Sequence, residues 1–178
     1  GRTSEQEEEP PLQFVAQEQQ YISYGKGGFS FNSLMHYLGE EELNTILKSF
    51  LEKYKFQEAP YPTSLDFVSH LKKATPDSLQ YLVEDLFEKV VFYNNKLTSS
   101  ETIDAGNGQY QANLSFTIDK QELKGKESIT PQLTDYIQIG FFDKDDNLIR
   151  LHTQRVTTHE NTLTIELDQK PAKVVLDP

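Results

Sequence analysis

The chain has 178 residues, of which 36% are hydrophobic and 25% are charged, a composition typical of globular proteins. Its formal net charge of −11 disfavours binding to nucleic acid or to an anionic membrane through a broad basic patch, because that binding depends on neutralising phosphates. The chain has no Cys, so disulfides, thiolate metal ligands and a thiol nucleophile are excluded. No apolar run approaches the roughly 18 residues that a membrane-spanning helix requires.

The beginning of the chain differs in composition from the rest. Residues 1–20 are rich in Glu and Gln and contain Pro10-Pro11, which predicts an extended or disordered lead-in. The opening "GRTSEQEEEPP" leads us to expect a piece of a longer protein.

Residues 21–92 have helical periodicity and are predicted to form an antiparallel helical segment. The clearest helix covers Glu40–Tyr54, where apolar residues recur every three or four positions and three glutamates occupy the first turn. A third helix is predicted to begin with Thr63 or Ser64 as its N-cap. A fourth is predicted to begin with Thr75 as its N-cap, followed by a proline in the first turn.

Residues 93–178 have the two-residue alternation of β-strands. The clearest strand is "GQYQANLSFTI", and "DYIQIGFF", "NLIRLHTQRV", "TLTIEL" and "AKVVL" follow it. We expect "DKDDN" to be a hairpin between the second and third of these strands, and "THENT" to be a hairpin between the next pair. Strands without intervening helices indicate an antiparallel β-sandwich of the Ig-like kind, so the predicted fold class is α+β with a boundary near residues 93–104.

The glycine run "GKGG" at residues 25–28 lies before a predicted helix and directly follows Tyr24. It could be a phosphate cradle, a plain helix entrance, or one part of an active site. The run lacks the spacing of a P-loop, and the third glycine of a dinucleotide-binding pattern is replaced by Ser30.

Two groups of residues are candidates for metal binding, and both are weak. In "DKDDN", Asp143, Asp145 and Asn147 occupy the first, third and fifth positions of an EF-hand loop, but Leu148 and Gln154 stand where glycine and a bidentate acid are required. A polar hairpin tip therefore explains these acids better. The four histidines share no ligand spacing, and no HExxH or Gly-x-Ser-x-Gly motif occurs. We predict no metal site and no complete catalytic set within this chain.

Tyr24 is the candidate catalytic residue. A phenol just ahead of a helix, beside glycines that let a ligand or a neighbouring backbone come close, can donate a hydrogen bond to a developing oxyanion. The alternative is a tyrosine that caps a helical bundle, and the chemistry of the residue alone favours this alternative.

A resemblance to a known family changes that balance. The stretch "YISYGKGGFSFNSLMHYLGEEELNTILKSFLEKYKF" resembles the segment after the zinc site of gluzincin aminopeptidases related to aminopeptidase N and leukotriene hydrolase. Tyr24-Gly25-Lys26-Gly27 fits the Tyr-x-Lys-Gly motif of that family, and Leu38-Gly39-Glu40 fits the following turn. The chain is most similar to a variant common in the Bacteroidetes, in which the peptidase domain is fused behind an ABC-2 type transporter permease. The terminal "KPAKVVLDP" is similar to the end of those proteins.

The resemblance implies a division of labour between this chain and the rest of a parent protein. In the family, HExxH and a further glutamate hold zinc, the HExxH glutamate is the general base, and the motif tyrosine donates its hydroxyl to the tetrahedral intermediate. Only the tyrosine carries over, to Tyr24. The zinc and its ligands are then expected upstream in the parent, which would supply the peptide substrate site, so this chain alone is expected to be inactive.

The resemblance also implies partners and a location. The parent is expected in the inner membrane, on a side that the sequence does not define, and this chain would be a soluble fragment beside its upstream catalytic and transmembrane regions. We expect exposed apolar residues around Phe29, Phe31 and Met35 to promote a homodimer of the fragment. The alternative function is a non-catalytic interaction or accessory module of an ABC-type transporter. An adhesion-type sandwich is a third hypothesis, to which the Tyr-x-Lys-Gly match adds nothing.

Overall fold

A computed structural model describes residues 9–15 and 21–178, and the side chains of residues 21–23 lie outside this description. The chain has a mixed α+β fold and divides into two compact units, Gly1–Val91 with Glu122–Ile129 and Phe92–Gln121 with Thr130–Pro178. Most of the predicted lead-in lies outside the described residues. Within it, Leu12–Phe14 form a 3₁₀ turn.

The first unit is mainly helical. A wide π-helical turn covers Tyr21–Lys26, and the helices are α1 (Gly27–Leu38), α2 (Glu40–Tyr54), α3 (Ser64–Ala74) and α4 (Gln80–Val83). A 3₁₀ turn at Asp77–Leu79 leads into α4, and a π-helical turn at Glu84–Glu88 follows it. No helix among the described residues combines the length and the hydropathy needed to cross a membrane.

The predicted limits of α2 and the predicted start of α3 are confirmed, and each has a local cause. Gly39 has φ +90°, a conformation that disfavours residues with a Cβ, and it separates α1 from α2. Thr63 is the N-cap of α3: its hydroxyl accepts a hydrogen bond from the backbone N–H of Asp66, whose carboxylate in turn accepts one from the N–H of Thr63. This reciprocal capping box also lowers the pKa of Asp66, because Thr63 donates to its charged form.

The predicted start of the fourth helix is wrong. Thr75 is the C-cap of α3, and both its backbone N–H and its hydroxyl donate to the carbonyl of Leu71. Pro76 is extended and precedes the 3₁₀ turn that leads to Gln80. A threonine hydroxyl can bond backward to a carbonyl as well as forward to an N–H, and here the backward bond is the one that forms.

One hydrophobic core joins the helices, from α1 to the π-helical turn Glu84–Glu88. Its buried members are Leu34, Leu43, Ile46, Val68, Leu71, Leu82, Val83 and Phe87. Phe31 is half-buried and its ring lies 5.9 Å from that of Phe67 and 5.8 Å from that of Phe87, an arrangement of tilted and edge-to-face rings. The helices therefore pack through an aromatic cluster as well as through aliphatic side chains.

In the described part of the chain, nine strands follow the helices. They are β1 (Val90–Tyr93), β2 (Lys96–Gly106), β3 (Gln109–Thr117), β4 (Lys120–Lys124), β5 (Glu127–Ile129), β6 (Asp135–Phe142), β7 (Leu148–Val156), β8 (Glu160–Leu167) and β9 (Lys173–Leu176). Within the described residues they form three antiparallel sheets with the orders β1-β4-β5, β2-β3-β8 and β7-β6-β9. The five strands predicted from alternation are confirmed as β3, β6, β7, β8 and β9.

The "DKDDN" hairpin between β6 and β7 is confirmed, but the "THENT" hairpin is wrong. The strand β8 pairs with β3, from Tyr110↔Leu167 to Thr117↔Glu160, while β7 pairs with β6 in another sheet. The residues between β7 and β8 therefore carry the chain from one sheet to the other. Sequence proximity favours a hairpin, but burial decides the partner, because the apolar face of β8 joins the core through Ile165 and Leu167.

The core of the second unit receives side chains from both of its sheets. Its buried residues are Ala112, Leu114, Phe116, Ile118, Leu133, Ile137, Ile139, Phe141, Val156, Ile165 and Leu167. They include alternate positions of β3, β6 and β8, as the two-residue period of a half-buried strand requires. β2 was not predicted because it is an edge strand whose residues are almost all exposed, so it lacks an apolar period.

Candidate functional site

Tyr24 lies in the π-helical turn Tyr21–Lys26, which continues directly into α1. Tyr24 thus lies three residues before the first residue of α1, within the predicted helical segment 21–92. The side chain is 80% exposed and makes no hydrogen bond with the described residues. With this exposure it is not packed as a cap on the helical bundle. Single π-helical turns are frequent at functional sites because the wider turn changes the direction of its side chains.

Lys26 anchors the same turn to the chain that precedes it. Its Nζ lies 3.1 Å from Oε1 of Glu9, and the two side chains retain 26% and 14% of their exposure. The 3₁₀ turn Leu12–Phe14 has a separate contact, in which Ser64 Oγ donates a hydrogen bond to the carbonyl of Gln13 at 2.7 Å. The ion pair of Lys26 with Glu9 therefore braces the turn that contains Tyr24. The sequence alone did not predict this contact.

The glycines of the motif lie inside the continuous helical segment, so they form no phosphate-binding loop. Apart from the nearby backbone of its own helix, an added Cβ at Gly25, Gly27 or Gly28 would meet no atom of the described residues within 4 Å. Gly27 is nevertheless buried, whereas Gly28 is exposed. Gly27 also lines an apolar groove of about 240 Å³, whose other lining residues are Leu12, Gln13, Val15, Phe31, Ser64, Phe67, Val68 and Phe87.

The acidic hairpin tip is satisfied by its own loop. The Asp143 carboxylate accepts hydrogen bonds from the backbone N–H groups of Asp145 and Asn147 and from the Asn147 side chain, at 2.8–2.9 Å. These bonds, first of all that from the Asn147 side chain, lower the pKa of Asp143. Among residues 9–15 and 21–178 no group of three His, Cys, Asp or Glu side chains could hold a metal ion. The residues described here therefore do not fit zinc.

The histidines are dispersed, and one of them makes a contact that the sequence did not suggest. His70 Nε2 lies 2.7 Å from Ser49 Oγ, across α2 and α3. Ser49 Oγ also lies 2.8 Å from the carbonyl oxygen of Ile46, so one hydroxyl contacts both groups, and the donor in its contact with His70 depends on the imidazole tautomer. His159 contacts Asp119 at 2.9 Å on an exposed surface.

A buried polar group in the second unit was missed entirely. Lys120 Nζ lies 3.1 Å and 3.0 Å from the two carboxylate oxygens of Asp135, and the two side chains are only 5% and 2% exposed. The Tyr93 hydroxyl donates to Oδ2 of the same carboxylate at 3.0 Å. The alternation in the sequence predicts that both side chains point inward. Lys120 lies two residues after the inward-facing Ile118, and Asp135 lies two residues before the inward-facing Ile137.

The sequence matches no protein-family model, and no curated protein matches it significantly. The interpretation of Tyr24 therefore depends on its position, its exposure and the motif around it.

Proposed function

We propose that this chain is the C-terminal part of a zinc aminopeptidase-like domain of a transporter-associated membrane protein, and that Tyr24 donates its hydroxyl to the tetrahedral intermediate. The observation that carries the proposal is the 80% exposure of Tyr24 within a wide helical turn, with no acceptor for its hydroxyl among the described residues. A hydroxyl in this situation is free to bind an oxyanion presented by another part of the protein.

The rest of the reaction is assigned to the parent protein. Zinc would be held by residues outside this chain, because its described residues offer no suitable group. Zinc supplies a Lewis acid and activates water when it is bound. This chain would contribute the Tyr24 hydroxyl and a fixed helix start, braced by Lys26 and Glu9.

The test uses the full-length parent protein, assayed for bound zinc and for hydrolysis of aminoacyl anilides. Tyr24→Phe should lower kcat by roughly 10²–10³-fold, because one oxyanion donor is lost, while the zinc content stays unchanged. Tyr61→Phe is the matched control, since Tyr61 is 71% exposed in the same unit and should leave kcat unaltered. A Tyr24→Phe protein with the wild-type kcat would contradict the role of Tyr24.

The second candidate function is a non-catalytic interaction or accessory module of an ABC-type transporter. It is favoured by the exposed apolar side chains of α1, Phe29 at 76% and Met35 at 36%, whereas Phe31 is turned toward Phe67 and Phe87. A folded parent protein with neither zinc nor peptidase activity would support this function over the first.

The exposed surface of α1 also supports self-association of the isolated chain. We expect a concentration-dependent dimer in multi-angle light scattering, and we expect Phe29→Ala to weaken it by removing the most exposed apolar group of α1. Phe56→Ala is the control, because Phe56 is 96% exposed in the connection after α2. A wild-type chain that stays monomeric at high concentration would contradict the expectation.

For the second unit we propose an Ig-like β-sandwich. The support is that the sheets β2-β3-β8 and β7-β6-β9 contribute to a single set of core residues.

A further inference from the structure

We propose that Lys120 and Asp135 are a modification site, at which the two side chains condense into an intramolecular amide. The product would be a covalent cross-link between β4 and β6, inside the second unit. Three observations carry the proposal: the position of the amine on the carboxyl group, the burial of the pair, and a tyrosine hydroxyl bonded to one of the reacting oxygens.

The first observation is the position of Nζ. It is nearly equidistant from the two oxygens of Asp135, at 3.1 Å from Oδ1 and 3.0 Å from Oδ2. The carboxyl carbon lies between those oxygens, so the nitrogen is about 3–3.5 Å from the atom that it would attack, which is a near-attack separation. A buried carboxyl that is fixed opposite an amine removes most of the entropic barrier to the condensation.

The second observation is the surroundings of the pair. The side chains of Lys120 and Asp135 are 5% and 2% exposed, and Asp135 lies on β6 between the core residues Leu133 and Ile137. Taking two separate charges out of water is costly in such a place, and their attraction offsets this cost only partly. Transfer of one proton from the ammonium group to the carboxylate produces a neutral amine and a neutral acid. These are the forms that react with each other.

The third observation is the set of hydrogen bonds on the carboxyl group. The Tyr93 hydroxyl donates to Oδ2 at 3.0 Å, and the backbone N–H of Thr134 donates to Oδ1 at 3.3 Å. The donor on Oδ1 stabilises negative charge that develops there during attack, as in an oxyanion hole. The phenol on Oδ2 can pass a proton to the oxygen that leaves and regain one from the nitrogen.

The step balances without any other reactant. Nζ of Lys120 forms a bond to Cγ of Asp135, the bond from Cγ to Oδ2 breaks, and Oδ2 leaves as water. Both hydrogens of that water come from the original ammonium group, one by the initial transfer and one after the attack. The product is a neutral amide, so a buried pair of charges is replaced by a single polar group.

The measurement is the intact mass of the purified chain, taken by electrospray in denaturing solvent after incubation at neutral pH. We expect a mass below that of the sequence by one water, about 18 Da. Trypsin should then fail to cleave at Lys120 and should release peptide 97–124 joined to peptide 127–144. A wild-type mass equal to that of the sequence would overturn the proposal and leave Lys120 and Asp135 as a non-covalent ion pair.

Variants distinguish a covalent amide between Lys120 and Asp135 from a non-covalent contact. Lys120→Arg retains a cation opposite Asp135 but has no nucleophilic amine, so its mass should equal that of its sequence. Lys124→Arg is the matched control on the same strand, with a side chain that is 63% exposed, and it should keep the loss of one water. Tyr93→Phe should slow the condensation in a time course of intact mass. A loss of water that persists in Lys120→Arg would also refute the assignment, because another pair of groups would then be responsible.

Discussion

One lysine contact in each unit of the molecule shows how differently two ion pairs can be buried. In the helical unit, Lys72 bridges Glu84 at 2.8 Å and Glu88 at 3.0 Å, and all three side chains are about 30% exposed. In the second unit, Lys120 and Asp135 are 5% and 2% exposed. The distances are almost the same, so distance alone does not indicate the energetic weight of an ion pair. The difference lies in how much water each pair has lost.

The largest expected effect comes from breaking the two lysine contacts in parallel. Lys120→Met should lower the free energy of unfolding of the second unit by about 3–5 kcal/mol, because it prevents the cross-link proposed above and leaves Asp135 as an uncompensated buried charge. Lys72→Met should cost about 1 kcal/mol or less, because water replaces the lost partner. Urea denaturation with peptide-resolved hydrogen exchange measures both. Equal losses would end the distinction between the two units.

Truncating one buried leucine in each unit should show that the two hydrophobic cores contribute similarly to stability, in contrast to the two lysine contacts. Leu71 in α3 is 0% exposed and Leu114 in β3 is 2% exposed. Each Leu→Ala change should cost about 3 kcal/mol, from lost burial and from the cavity left behind. The same hydrogen-exchange experiment reports the loss in the unit that carries the change. Leu51→Ala, at 66% exposure, is the control and should cost little. A markedly cheaper Leu71→Ala would indicate a helical core that is less tightly packed.

The smallest expected effect is a pH dependence in the helical unit. The side-chain hydrogen bond from Lys72, followed by that from Lys89, lowers the pKa of Glu84 below its ordinary value of 4.5. The resulting stability is present above pH 4.5 and is lost as the pH falls through the lower folded value. Because Glu84 is partly exposed, we expect about 0.5 kcal/mol. In acid titrations of unfolding free energy, Glu84→Gln should remove this dependence, whereas Glu58→Gln should retain it.

The sequence predicted those parts of the fold that depend on neighbouring residues. Gly39 ends α1, Thr63 caps α3, and alternation locates β3 and β6, because each signal acts within a few positions of the chain. The pairing of β8 with β3 was not predictable in this way, since nearby strands usually pair and the competing partner lies far away in sequence.

The candidate site was predictable only in part. Tyr24 was selected from its motif, and its exposure agrees with an available hydroxyl. The ion pair of Lys26 with Glu9 depends on how the chain folds back, which composition does not reveal. Lys120 and Asp135 each occupy a position at which the alternation predicts an inward-facing apolar residue. The sequence does not show that the fold brings the two side chains together.

The pairing of β3 with β8 has a consequence for how the protein is made. The ribosome completes β3 long before β8, and β4 to β7 are synthesised between them. Until β8 emerges, one edge of β3 has no strand to pair with, whereas α1 to α3 can form as soon as their own residues leave the exit tunnel. Nascent chains are therefore most exposed to aggregation while the later strands are being translated. A pause in translation after β3 would lengthen that interval, but a pause after β8 would not.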